Sequence, residues 1–204
     1  MNKEEFAALL ALGHEATGIE FKGHGPISNK RLFAQVTKAV LGMANRRDGG
    51  RVIIGVDDND GTPNPVGLTK TELVTWKYDD VAAKMAEYAD PSISFELEAQ
   101  PHNGKDYVIL HVAEFNDIPV LCKKPYPDVL RQGACYVRSR RKPETTEIPT
   151  QEDMRDLLEL AAEKRLRKYL EQVKRAGGLI VPFQIESLIP SPQEPYDKQL
   201  GDLL

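Results

Sequence analysis

The chain has 204 residues, of which 41% are hydrophobic and 28% charged, with a net charge of -4. That length suits one well-buried domain with an appendage and argues against a second full domain. No apolar stretch approaches the roughly 20 residues that a helical membrane span needs, so a soluble protein with no membrane partner is expected.

The N-terminus lacks the basic start and long apolar core of a secretory signal, and Cys122 and Cys135 make no disulfide framework; a cytoplasmic location is the expectation. Two cysteines without nearby histidines do not complete a zinc site, and both read as structural.

Taken in order, residues 3 to 13 read as a helix with Phe6, Leu9, Leu10 and Leu12 on one side, Asn2 as cap and Gly13 as stop. Thr17 to Lys22 reads as a short strand whose alternation puts Ile19 and Phe21 on one face, Glu20 and Lys22 on the other. Ser28 then caps a helix to about Ala44, with Leu32, Phe33, Val36, Ala39, Val40 and Met43 at helical spacing. The run Val52-Ile53-Ile54-Gly55-Val56, launched by Gly49-Gly50, has the length and β-branched content of a central buried strand.

A turn-rich return over 62–67 leads to a long helix from Lys70 to Ala89, with Leu73, Val74, Val81, Met85 and Tyr88 inside and Trp76 at its edge. Ile93 to Gln100 and Lys105 to Glu114 form a hairpin around Asn103-Gly104. Short strands follow at 119–123 and 134–139, then a helix from Thr150 to about Lys174 lined by Met154, Leu157, Leu158 and Leu160. This order indicates an α+β domain, a mixed β-sheet with packed helices, over 1–175, followed by a Pro-rich linker or partner-docking tail over 176–204.

The central run ends on Asp57 and Asp58, and its carboxylates are candidates to meet Glu15 and Glu20 from the first strand. If the two strands are neighbours, Glu15, Glu20 and Asp58 are a candidate catalytic and metal-binding set for Mg²⁺ or Mn²⁺, with Lys22 beside a phosphate. The competing reading is that Glu15 and Glu20 are solvated and that Asp57-Asp58 only makes a turn.

Charge is unevenly spread. Between Ile118 and Pro143 lie Lys123, Lys124, Arg131, Arg138, Arg140, Arg141 and Lys142 against one acid, Asp128, a local +6 that leaves about -10 for the rest. Such a block suits phosphate contacts, with Arg138 and Arg140 on one strand face; equally, it is a charged edge that discourages aggregation. Tyr126 and Tyr136 are of a type that stacks on bases, but packing accounts for them as well. No Walker phosphate loop is present, and Gly49-Gly50 precedes a strand where a phosphate loop would precede a helix, so no ATP is expected.

Glu15-x4-Glu20-Phe21-Lys22, Ala44-Asn45 followed by Gly49-Gly50, Val52-Ile53-Ile54-Gly55-Val56-Asp57-Asp58 closing on Val66-Gly67, and Tyr136-Val137-Arg138-Ser139 before an acidic-capped helix together resemble the Schlafen AlbA_2 family. The resemblance implies a nucleic-acid-binding α+β domain for RNA or DNA. It also implies an endonuclease in those members that use two glutamates and an aspartate with a metal ion, which map here onto Glu15, Glu20 and Asp58. Vertebrate members carry two lobes and a zinc cluster; this chain has room for one lobe and lacks the zinc ligands, so a homodimer is the expected way to supply a second. The alternative is a non-catalytic regulatory or assembly module that docks a protein partner through the C-terminal helix and tail.

Overall fold

The computed structural model describes residues 3–11, 17–59, 62–139 and 144–177. The chain divides into two compact units, Met1–Arg165 and Leu166–Leu204.

The first unit is built on a four-stranded sheet of β1 (Ile19–Lys22), β2 (Gly50–Ile54), β7 (Lys105–Val112) and β6 (Phe95–His102), in the order β1-β2-β7-β6. β1 runs parallel to β2, which is possible because α2 (Lys30–Ala44) connects them; the other pairs are antiparallel. β6 and β7 form the hairpin expected at Asn103-Gly104, where both residues take positive φ, 48° and 73°.

Strand alternation gives this sheet two apolar faces. Ile19, Phe21, Ile53, Tyr107 and Ile109 meet Phe6 of α1 (Lys3–Ala11) on one side. Val52, Ile54, Val108, Leu110 and Val112 meet the buried side of α2 on the other, where Leu32, Phe33, Val36, Val40 and Met43 recur at helical spacing. Asn29, one residue later than expected, caps α2 by accepting from Leu32 N–H at 3.1 Å.

The central run is two strands rather than one. Gly55 takes φ +110°, which breaks the ladder after Ile54, and β3 (Val56–Asn59) leaves the sheet to pair with β4 (Thr62–Pro65).

The long helix expected over 70–89 is also divided, into α3 (Lys70–Leu73), closed by a Thr69/Glu72 capping box, and α4 (Tyr78–Ala86). Trp76 lies between them, buried rather than at an edge: its Nε1–H donates to Gly25 C=O at 2.9 Å and its ring stacks on Phe33. Burying the indole interrupts the helix and leaves Val74, expected inside, exposed.

β5 (Ala89–Asp90) pairs with β8 (Leu121–Cys122), and β9 (Tyr136–Arg138) with β10 (Thr145–Glu147). α5 (Gln151–Arg175) follows; it buries Leu157 and Leu160, while Met154 and Leu158, expected to line it, are exposed. The tail over 178–204 lies outside the described residues. Among the described residues no helix is long and apolar enough to cross a membrane.

Candidate nucleic-acid interface

β1 is an edge strand, so its outward carbonyls need partners from outside the sheet. Arg138, at the end of β9, provides them. Its Nη2 donates to Ile19 C=O at 2.6 Å and its Nε to Thr17 C=O at 3.2 Å, so one guanidinium occupies the place of a missing neighbouring strand. Its Nη1 donates to Glu20 Oε2 at 2.7 Å.

Glu20 is saturated. Thr145 Oγ1 of β10 donates to the same Oε2 at 2.5 Å, and Lys22 Nζ reaches Oε1 at 2.5 Å. The Arg138 side chain is 0% exposed and that of Glu20 8%, so this ion pair is removed from water and held by hydrogen bonds on every side. The alternation of β1 sends Glu20 and Lys22 to the same face, as expected, but their first contact is with each other.

The β9–β10 hairpin reaches this position because α2 lets it approach. A Cβ on Gly42 would stand 2.5 Å from Thr145 Cγ2, so only glycine allows the contact. Asn45, at the end of α2, holds the other side of the hairpin: its Nδ2 donates to Val120 and Tyr136 carbonyls at 2.8 and 2.9 Å, and its Oδ1 accepts from Val120 N–H at 2.7 Å. Ser139 N–H donates to Glu144 C=O at 3.3 Å, one step beyond the β9–β10 ladder at its loop end.

Of the other acids in the expected set, Asp57 and Asp58 have described positions. Asp57 accepts from His24 backbone N–H at 3.1 Å and lies 3.0 Å from His24 Nδ1, fixing the loop that follows β1. Asp58 is exposed on β3 opposite Pro63, past the Gly55 break, and strand alternation turns it away from Asp57. Glu15 lies outside the described residues. Among the described residues no group of three or more His, Cys, Asp or Glu side chains is arranged to hold a metal ion.

Among the described residues of the basic block, Lys124, Arg131 and Arg138 are each paired with an acid from another segment. Arg131 grips Glu147 through Nε at 2.9 Å and Nη2 at 2.5 Å, and these hydrogen bonds hold the Glu147 carboxyl below the usual carboxylate range. Lys124 Nζ sits 2.5 Å from Glu87 and over the Tyr88 ring. Arg138 is buried and so is not the surface phosphate contact that alternation with Arg140 suggested. Lys123 is exposed. Arg140, Arg141 and Lys142 lie outside the described residues, in sequence between Ser139 and Glu144.

Tyr136 is buried, its hydroxyl accepting from Arg131 N–H at 2.8 Å, whereas Tyr126 is half-buried beside it in a groove of about 600 Å³. Burial raises the Cys135 thiol to about 11 and also pushes Cys122 up, which keeps both thiols protonated.

The family model described as Schlafen, AlbA_2 matches residues 15–147, more than half of the chain. The chain belongs to the Schlafen AlbA_2 family. The matched span of this AlbA_2 domain begins just before β1 and ends with β10, so it contains the Glu20–Arg138 pair, Asn45 and Thr145. Among solved structures, it is similar to a protein from Corynebacterium diphtheriae, at 15% identity and TM-score 0.48 over 71% of this chain and 26% of that one. This chain thus spans about a quarter of the Corynebacterium protein's length. It is also similar to the N-terminal domain of a protein from Nitrosomonas europaea that bears the description "putative ATP-dependent DNA helicase RecG-related protein", at 23% identity and TM-score 0.45 over 74% of this chain and 99% of that one. No curated protein matches.

Thr145 and the strand that carries it were not legible beforehand. A three-residue strand leaves little periodicity, and the only signal was a β-branched pair, Thr145-Thr146, shortly after the basic run.

Proposed function

We propose that this AlbA_2 domain binds nucleic acid through the sugar-phosphate backbone, using the segment between β9 and β10 together with Lys123; Lys22, held by Glu20, contributes less. The observation that carries this reading is the anchoring of that segment at both ends. Arg138 before it and Thr145 after it meet on one carboxylate oxygen of Glu20, so the residues that bracket Arg140, Arg141 and Lys142 in sequence are themselves fixed beside β1. Cations on an anchored segment lose less freedom when they meet phosphates than cations on a free tail do. Family membership supports the same reading.

In this reading Glu20 is an architectural group rather than a metal ligand, because both of its oxygens already accept hydrogen bonds from cations or a hydroxyl. Lys124 and Arg131, held by Glu87 and Glu147, contribute less than their number suggests.

The test is fluorescence anisotropy with labelled structured RNA, single-stranded DNA and duplex DNA across a salt series. Replacing Arg140, Arg141 and Lys142 by alanine lowers the slope of log affinity against log salt by about 2.7 for a duplex, and weakens all sequences alike. Each mixture is then incubated with Mn²⁺ or with EDTA. Cleavage that requires Mn²⁺ and Asp58 establishes the nuclease reading instead. Absence of binding to every strand points to the protein-docking module.

A further inference from the structure

α5 carries more apolar surface than its packing uses. Leu157 and Leu160 face the core. Met154, Leu158, Ala162, Leu166, Tyr169 and Val173 succeed one another at spacings of three and four residues and therefore form one stripe on a different side of the helix. Leu158, Leu166 and Tyr169 on this stripe are 58%, 58% and 61% exposed, and Leu170 adjoins it. From Ala162 onward the spacing is the four-three alternation of a coiled-coil seam, continued by Ala176.

The charge on α5 identifies what covers that stripe. In the first half, Glu152, Asp153, Asp156, Glu159 and Glu163 stand against the single cation Arg155. In the second half, Lys164, Arg165, Arg167, Lys168, Lys174 and Arg175 stand against the single acid Glu171. Glu163 and Lys164 are already paired with Arg47 and Glu114, so the attraction rests on the charges further from the middle of the helix. A helix with one acidic and one basic half repels a parallel copy of itself at both ends and attracts an antiparallel copy at both ends. The centre of the apolar stripe has a two-fold pattern as well: about residue 164, an antiparallel copy brings Leu158 opposite Leu170 and Ala162 opposite Leu166, with Tyr169 opposite Glu159 and Val173 opposite Arg155 at the flanks.

We propose that two copies of this chain associate through α5 in an antiparallel pair, with the acidic half of each helix on the basic half of the other. The contact is isologous and closes as a two-fold dimer.

The test is the oligomeric state of the full chain, by sedimentation or light scattering over a range of protein concentration and salt. The expected result is a dimer whose affinity falls by about tenfold between about 0.05 M and about 0.5 M salt, because half-exposed ion pairs are screened. Leu166→Glu with Tyr169→Glu abolishes it while the far-ultraviolet circular dichroism stays that of the parent. Orientation is read by mixing two single variants, Leu158→Cys and Leu170→Cys, under mild oxidation. The antiparallel pair yields the mixed disulfide, whereas Leu158→Cys alone and Leu170→Cys alone yield little. A chain that stays monomeric at low salt, a dimer indifferent to the double glutamate variant, or self-disulfides in place of the mixed one would each overturn the proposal.

Discussion

Glu20→Gln separates an architectural carboxylate from a metal ligand. The amide keeps the size of the side chain but loses its charge, and its nitrogen faces a cation wherever an oxygen used to accept. The buried Arg138 side chain then loses its ion pair with Glu20. Breaking one partner of a buried pair costs about 3–5 kcal/mol, a large share of the roughly 5–15 kcal/mol that holds a domain folded. For a domain of this size, about 2–4 °C is lost per kcal/mol, which sets the expected fall in melting temperature at about 6–20 °C. Trp76, the chain's one tryptophan, is buried and reports unfolding by fluorescence. Urea titrations of parent and variant, each with Mn²⁺ and with EDTA, complete the assay. The architectural role predicts the same large loss in both buffers. A variant within about 1 kcal/mol of the parent in EDTA, but stripped of a Mn²⁺-dependent gain in stability, would refute the reasoning and return Glu20 to the metal.

Gly42→Ala places a methyl 2.5 Å from Thr145 Cγ2 and pushes the β9–β10 hairpin off α2; a loss of about 1–3 kcal/mol in the same urea titration is expected. Arg131→Ala removes the hydrogen bonds that depress Glu147, so its carboxyl titrates at a higher pH than in the parent, measurable by NMR. The sign follows from the depression: Glu147 adds stability above its unfolded-state pKa and loses it as pH falls through the lower folded value, by a small amount because the pair is exposed. With its thiol raised to about 11, Cys135 should react slowly with a disulfide reagent near neutral pH and quickly once urea unfolds the chain.

Much of the fold was legible because it rests on local periodicity. The apolar spacing of α2, the Asn103-Gly104 turn and the alternation of β1 need only neighbouring residues, and each corresponds to an observed element. The long helix over 70–89 failed at the one residue whose environment lies far away in sequence: Trp76 finds its acceptor at Gly25 and its ring partner at Phe33, and no window around residue 76 contains either. The lining of α5 was half legible for a related reason: Leu157 and Leu160 are buried while Met154 and Leu158 are exposed, and only what packs against the helix decides between its two apolar stripes.

The sequence by itself determined the α+β class, the family motifs and the presence of a strongly basic stretch beside an acidic body, because composition, spacing and residue type are properties of the chain. What that charge is available to do was decided by tertiary structure. Arg138 and Glu20 are 118 residues apart, and each alone reads as a site residue; folded together they satisfy an edge strand and each other. The same holds for Arg131 with Glu147 and for Lys124 with Glu87. A charge acts on a ligand only to the extent that no fold partner has already taken it, and partners are assigned by the three-dimensional meeting of distant segments rather than by any pattern along one of them.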